Sequence, residues 1–442
     1  MNLLKDNIRA MYIKYLAAAF GSSFISIIYG FVDSMVIGKY EGPSGSAAMA
    51  VIAPIWNIIF SLGLLFGIGA SVFFSSLRAR KEDKDANEYF TVAVVGAAIF
   101  SGICMIALFL FEEPILNLFG ADESMISLCK QYLLPVKLVV FTYLFTQVFA
   151  AFLRNDGNPG LATLAVLCGG IFNVFGDVYF VFGLDMGMLG AGLATAMGNT
   201  ISLIVMCGHF FHKKNTLRLV RVKGFAVKAK NVIIAGFSSF FVDVAMGIVT
   251  ALLNNQIMKY MGANALAVYA VIVNLSTCVQ CSGYSVGQAA QPILSANLGA
   301  GLYDRIKQTL RYAIYASVGF AAVWTIIMMC FPNQIVNLMM DATPEVLSIA
   351  PGIIRLYSLS FILLPLNVFS TYYFQSLMKP GIAFAISIAR GAIISGGLIL
   401  LLPMLLGATG LWLAMPFAEG IVFIGDVYFI RKYTKELGAV NA

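Results

Sequence analysis

Twelve apolar runs follow one another along the chain, each 22 residues or longer: 11–37, 46–77, 90–111, 127–153, 160–182, 189–211, 231–258, 265–296, 310–331, 346–377, 381–402 and 409–430. A helix that crosses the hydrocarbon core of a bilayer needs about 20 such residues. No water reaches that core, so every backbone N–H and C=O must be paired, which leaves helices and closed barrels. The runs are long and lack the roughly ten-residue alternation of barrel strands. The expected fold is an all-α polytopic membrane protein of twelve transmembrane helices. Of the 442 residues 60% are hydrophobic and only 11% charged, against about 25% charged in a soluble domain. That is too little charge for a water-exposed surface. It excludes a cytosolic enzyme, a disordered chain and a nucleic-acid binder, and makes the lipid bilayer the first partner.

The first run begins soon after Lys5 with no short core and small-residue cleavage site before it, so it is a span rather than a removed signal peptide. The seven cysteines all lie in apolar stretches. Cys278 and Cys281 form a CxxC, but a redox pair needs water and a lowered thiol pKa, so packing is the expected role.

Lysine and arginine fix the orientation. With the N-terminus in the cytoplasm, 22 of them fall in cytoplasmic tails and loops, including Arg78, Arg80, Lys81 and Lys84 after span 2 and Lys213, Lys214, Arg218, Arg221, Lys223, Lys228 and Lys230 after span 6. Only Lys39 and Lys259 fall outside, and Lys130, Lys137, Arg355 and Arg390 lie within runs. Positive charge is retained on the cytoplasmic side, so both termini are expected inside a multi-pass plasma-membrane protein. The run Glu82-Asp83-Lys84-Asp85 is read as a solvated loop rather than a diphosphate-metal site, and His209 and His212 as interfacial rather than ligands.

The chain repeats itself. At an offset of 220, residues 37–86 and 257–306 share twelve of fifty positions without gaps, among them Lys39/Lys259, Tyr40/Tyr260, Gly42/Gly262, Gly63/Gly283 and Gly67/Gly287. Gly190, Leu193 and Ala194 match Gly410, Leu413 and Ala414. This predicts an N-terminal lobe (1–211, spans 1–6), a basic cytoplasmic linker (212–230) and a C-terminal lobe (231–442, spans 7–12). Six spans per half make both halves enter from one side, so they are expected to be related by a pseudo-twofold axis along the membrane normal.

Charges inside a bilayer are costly, about 2.5–3.5 kcal/mol each on insertion scales. They therefore mark function or pairing. Asp33, Asp177 and Thr195 lie at one depth below the outer face, on spans 1, 5 and 6, and Asn173 stands one turn from Asp177 on the same helix face. Two carboxylates, an amide oxygen and a hydroxyl are hard ligands that suit Na⁺. Two nearby buried carboxylates also suit a proton. In the second half Asp243, Arg390 and Glu419 lie at matching depths. A structural Arg390–Glu419 pair is the first reading there, and a role in coupling or substrate binding is the alternative. Lys137 and Arg355 are expected to line an external vestibule or to snorkel.

The segment Gly30-Phe31-Val32-Asp33-Ser34-Met35-Val36-Ile37-Gly38 resembles the first-helix motif of the multidrug and toxic compound extrusion (MATE) family, prokaryotic DinF-like branch. So do Asn173-Val174-Phe175-Gly176-Asp177 with Gly190-Ala191-Gly192-Leu193-Ala194-Thr195, and Gln291 to Gly301. The resemblance implies a cation site at Asp33, Asn173, Asp177 and Thr195. It also implies an antiporter, not an enzyme, that exports organic, often cationic or amphipathic compounds by alternating access. H⁺ or Na⁺ is then the coupling ion, with no other cofactor, small organic molecules are the cargo, and the chain is expected to act as a monomer. The chain departs from the family in lacking a proline in span 1, in having Gly236-Phe237-Ser238 and Asp243 where many have Gly-x-Pro and a glutamate, and in having no acid in 346–377.

Three rivals are weighed against this. A flippase for a lipid-linked saccharide, of the same wider superfamily, often has fourteen spans and a strongly cationic cavity. A membrane-embedded transferase would have only Glu82-Asp83-Lys84-Asp85 to hold its metal. A major-facilitator carrier would want a different basic signature between spans 2 and 3.

Overall fold

The computed structural model describes residues 2–121, 123–213, 215–340 and 343–439, and it is helical nearly throughout. Lys214 of the linker and the last three residues of the C-terminal lobe lie outside the described residues. The helices are α1 (Ile8–Tyr40), α2 (Gly42–Ala79), α3 (Asp83–Leu110), α4 (Glu112–Leu118), α5 (Glu123–Leu138), α6 (Val140–Asn155), α7 (Pro159–Asp177), α8 (Gly187–Cys207), α9 (Phe225–Tyr260), α10 (Ala263–Gly299), α11 (Tyr303–Cys330), α12 (Pro332–Met339), α13 (Pro344–Ser358), α14 (Leu364–Ser376), α15 (Pro380–Ile388) and α16 (Ser395–Ala439).

Ten helical stretches among the described residues are long and apolar enough to cross a bilayer. An eleventh span is the pair α5–α6, bent by 58°. The last stretch, Pro380–Glu436, has 57 residues, about 85 Å at 1.5 Å per residue against a core of roughly 30 Å. It breaks at Gly407, whose φ of 60° and ψ of −145° no helix contains. Two spans lie there, which makes twelve. Large apolar side chains point outward along them, Phe175, Met404 and Ile424 each more than 70% exposed, as acyl chains rather than water would require.

The 220-residue offset reaches the backbone. Helices α3 and α11 are both 28 residues long and start 220 apart. Each leads into a short helix, α4 or α12, which the apolar runs did not separate out. Left-handed backbone recurs at the same offset in Gly42/Gly262, Lys81/Gly301 and Gly187/Gly407. The fold divides into two compact units, the first built on Ala17–Phe240 and the second on Phe241 onward with Asn7–Leu16. The first unit centres on Phe74, Phe90 and Phe152, all fully buried, with Phe152 edge-on to both of the others.

The basic segment after α8 is pinned to the first unit by an extended strap. The N–H groups of Arg218, Val220 and Lys223 donate to side chains of α3, namely Asn87 Oδ1 (2.8 Å), Thr91 Oγ1 (3.0 Å) and Glu88 Oε2 (3.0 Å). Thr216 N–H donates to Asp156 Oδ2 at 3.0 Å. The alternate donors of Thr216, Arg218 and Val220 are thus satisfied by side chains, as a neighbouring strand would do it, and Lys223 follows three residues on. The acids Asp83 and Asp85 occupy the first turn of α3, where the helix dipole favours them. His209 departs from the interfacial reading. It is fully buried, with Nε2 2.7 Å from Asp156 Oδ2 and Nδ1 3.1 Å from Asn158. The Asn155-Asp156-Gly157-Asn158 turn brings a carboxylate there that sequence spacing does not reveal.

Asp156 therefore ties together four segments: the end of α2 through Arg78, the turn after α6, the end of α8 through His209, and the strap through Thr216. Burial acts to raise its pKa, but His209, Thr216 and Arg78 outweigh burial and hold the carboxyl below its usual range. A depressed folded pKa contributes stability above the unfolded value, and that stability is lost as pH falls through the folded one. Asp156→Ala is expected to cost about 3–5 kcal/mol, as for breaking a buried ion pair. The purified variant should melt several degrees lower than the parent in near-neutral detergent solution, with the gap narrowing as the buffer is acidified.

Candidate functional site

In the first unit the sequence-predicted residues meet. Asp33 stands seven residues before the end of α1, Asp177 closes α7 six residues before the span ends at Gly183, and Thr195 stands eight residues into α8. At 1.5 Å per residue these are depths of about 9–12 Å. All are buried: Asp33 5%, Asn173 2%, Asp177 0% and Thr195 7% exposed. Asn173 Nδ2 donates to Thr195 Oγ1 at 3.0 Å.

Tyr132 of α5, which carries no signal in the sequence, joins them. Its hydroxyl donates to Asp33 Oδ2 at 2.8 Å and lies 3.4 Å from Thr195 Oγ1. A tyrosine in an apolar run looks like packing, and only the crossing of α5 with α8 makes it a site residue. That crossing depends on Gly192, because a Cβ there would sit 2.1 Å from the Tyr132 carbonyl oxygen. In the same way Gly198 passes the Gly169 carbonyl, which a Cβ would approach to 2.7 Å. This close passage sets Asn173 beside Thr195.

Four buried oxygens in this site have no hydrogen-bond partner: Asp33 Oδ1, Asn173 Oδ1 and both oxygens of Asp177. Asp177 lies within electrostatic range of Asp33, and among the described residues no lysine or arginine pairs with either. Unsatisfied buried acceptors cost about 1–3 kcal/mol each, more when charged. A proton or a small hard cation would satisfy several at once. Asn173 and Thr195 also line a cavity of about 360 Å³ with Tyr29, Thr146 and Asn199, which gives the site a polar vestibule. Trp56 stands beside it, its ring 6.4 Å from that of Tyr132 and edge-on.

The second unit is equipped differently. Arg390 and Glu419 do meet, Arg390 Nε donating to both carboxylate oxygens at 2.9 and 3.1 Å. They lie on the wall of a cavity of about 650 Å³ that Tyr269, Tyr357, Phe361 and Met415 also line. Asp243 is held elsewhere, accepting from Tyr284 at 2.5 Å. Lys137 neither snorkels nor lines a vestibule, since it is 5% exposed and gives its ammonium to Glu112 at 2.8 Å. Arg355 is exposed and donates to the Met329 carbonyl. Cys278 and Cys281 are free thiols. Asp426 is a buried acid that sequence reading passed over, because it stands near the basic end of its span, where a carboxylate attracts little notice.

Spanning helices that bring two buried carboxylates from distant parts of the chain within electrostatic range of each other, beside a polar pocket, fit a membrane transporter. Comparison with known proteins gives the particular kind. The model of the family described as MatE matches residues 18–179 and 239–395, well over half of the chain, and the chain belongs to that family. It is 23% identical over 414 residues to the multidrug export protein MepA of Staphylococcus saprophyticus, covering 92% of this chain and 91% of that one. It is likewise 23% identical over 421 residues to MepA of Staphylococcus haemolyticus, covering 94% and 91%. Among solved structures it superposes with a TM-score of 0.91 and 18% identity on an outward-facing multidrug resistance MATE family transporter of the MOP superfamily. A MOP superfamily transporter from Pyrococcus furiosus, whose binding pocket is described as of reverse polarity, gives 0.90 and 18%. In both cases 99% of this chain and 98% of the other are covered.

Gly192→Ala should force α8 away from α5, at about the 1–3 kcal/mol of an overpacked contact. In a background carrying Trp324→Phe and Trp412→Phe, the variant is expected to melt earlier and to shift the emission of Trp56. Gly21→Ala, whose Cβ would meet only Thr163 Cγ2 at 3.5 Å, should do neither. Equal behaviour of the two variants would show that the crossing does not set the site.

Proposed function

We propose that the chain is a cation-coupled antiporter that exports organic, often cationic or amphipathic compounds by alternating access. H⁺ or Na⁺ enters at Asp33, Asn173, Asp177 and Thr195. The observation that carries this reading is the set of four buried, unpartnered oxygens contributed by two helices distant in sequence, in a site that has no counter-cation among the described residues. The names of the MepA relatives support multidrug export as the activity. The basic residues support an orientation with both termini and the strap toward the cytoplasm. The two lobes, 1–211 and 231–442, would be the moving bodies and 212–230 their connection, in a chain that works as a monomer. It is a transporter rather than an enzyme.

Coupling follows from differential affinity. A cation that binds one state better than the other shifts the population toward that state by that difference and no more. Here a bound cation would satisfy Asp33 Oδ1 and the Asp177 oxygens and would favour the state in which these groups are close. Organic cargo, bound against apolar and aromatic walls like those of the second unit's cavity, would favour the opposite state. The Arg390–Glu419 pair leaves that cavity of mixed charge, which does not suit a flippase that must hold a strongly anionic lipid-linked saccharide.

Vesicles containing the purified chain should export a fluorescent organic cation when an inward H⁺ or Na⁺ gradient is imposed. Asp33→Asn and Asp177→Asn should each lower the gradient-driven rate by tenfold or more, on the order of 1.4 kcal/mol or greater, while both proteins insert and fold. Full gradient-driven efflux in both variants would refute the assignment. Imposing the two gradients separately identifies the ion.

A further inference from the structure

The second unit holds a charge cluster built as two rungs between α14 and α16. On the first rung Asn367 gives its Nδ2 to Glu419 Oε2 at 2.6 Å and to the Glu419 carbonyl at 2.9 Å. On the second, Ser370 donates Oγ to Asp426 Oδ2 at 2.6 Å. Asn367 and Ser370 are three residues apart and Glu419 and Asp426 seven, so each pair shares one helix face. Arg390, in the π-helical turn Ala389–Ile394, closes the first rung through its Nε.

The charges do not balance. The charged groups that act on Asp426 are Arg390 and Glu419, and Arg390 is already engaged with Glu419. Two carboxylates face one guanidinium. Among the described residues, the elements packed against this end bring no second cation to it. Helices α13 and α14 carry Tyr357, Tyr372 and Tyr373, and Arg355 of α13 is exposed and given to the Met329 carbonyl. On α11, Lys307 and Arg311 are exposed and Arg305 donates to Asn297. Lys379 and Lys432 lie over the ring of Tyr433. Asp426 is 2% exposed, and its Oδ1 has no partner. The Oδ1 of Asn367, on the neighbouring rung, is also buried and unpartnered. An uncompensated buried carboxylate is among the costliest groups a span can hold.

One small positive charge would remove the deficit, and the donor set selects which. Hard metal cations gather about six oxygens, whereas only two acceptors here are free. A proton needs one. It forms an O–H bond on Asp426, neutralises the cluster and turns an orphaned acceptor into a donor. Asp426 lies five residues before Arg431, which begins the basic tail, about 7–8 Å along the helix. That leaves it a short path to the water at that end.

We propose that Asp426 is a proton-binding site of the second unit, taking H⁺ on Oδ1 beside the Arg390–Glu419 pair and exchanging it with the aqueous phase at the basic end of the last span. The site goes beyond the antiport reading, since it is defined without reference to which ion enters beside Asp33.

Infrared difference spectra of the full chain in lipid nanodiscs, taken across a pH titration and in H₂O and D₂O, test this without transport. A deuteration-sensitive carboxylic-acid C=O stretch is expected that Asp426→Asn removes and that Asp33→Asn and Asp177→Asn leave in place. Ser370→Ala, which takes away a hydroxyl 2.6 Å from Asp426 Oδ2 and 2.7 Å from the Asn367 carbonyl and little volume, should shift its frequency, so the assignment can be tested even if Asp426→Asn does not fold. A protonated-acid signal unchanged by both Asp426→Asn and Ser370→Ala would overturn the proposal, as would its loss on adding Na⁺ at constant pH, which would make the site one for a metal cation. Failure of gradient-driven efflux alone would bear on the first unit's site and leave this result standing.

Discussion

A carboxylate buried in a membrane protein must be given a donor, a counter-cation or a proton, and the way each acid meets that demand sorts the polar groups of this chain. Glu112 is given Lys137, Glu419 is given Arg390 and Asn367, and Asp156 is given Arg78, His209 and Thr216. These are closed accounts, and they hold helices together. Asp33 and Asp177 are left open. The hydroxyls of Tyr132 and Thr195 serve the first, and among the described residues nothing donates to the second. An open site of this kind leaves buried acceptors unsatisfied, each at a cost of about 1–3 kcal/mol.

The close passages of helices around the site are what make it a site at all. Neither Asn173 nor Thr195 would reach the other without the glycine-to-carbonyl approach of α7 and α8, and Tyr132 would not reach Thr195 without the close approach of α5 at Gly192. In lipid there is no hydrophobic drive between helices, so small residues that admit close backbone approach supply the packing energy. The same glycines therefore stabilise the bundle and set the distances between functional oxygens. A substitution here acts on fold and chemistry together.

Much of the architecture was legible because the bilayer leaves few options. Runs of 22 residues or more could be little else than spans, and charges within them had to be paired or functional, which singles out Asp33, Asp177, Asp243, Arg390 and Glu419 from the sequence alone. Residues whose presence in a span costs little were not legible. Tyr132 and Trp56 pack as readily as they function, and Asp426 stands near the end of its run. Short α4 and α12, lying between spans, have no apolar periodicity long enough to detect. The burial of His209 was hidden for another reason. Its partner Asp156 is 53 residues away in a turn, and only the tertiary fold joins them.

The duplication separates scaffold from chemistry. Left-handed backbone at Gly42/Gly262 and Gly187/Gly407 survives at the 220-residue offset, because a turn that reverses the chain between spans has few substitutes. The polar equipment does not survive it. The positions 220 beyond Asp33, Asp177 and Thr195 are Leu253, Gly397 and Met415, and those 220 before Glu419 and Asp426 are Asn199 and Met206. Two copies of one backbone plan thus carry an open acid pair in one unit and a largely closed ion pair beside an aromatic cavity in the other. Divergence of the side chains on a conserved plan leaves unpartnered acceptors of different kinds in the two units, an acid pair in the first and Asp426 beside an ion pair in the second.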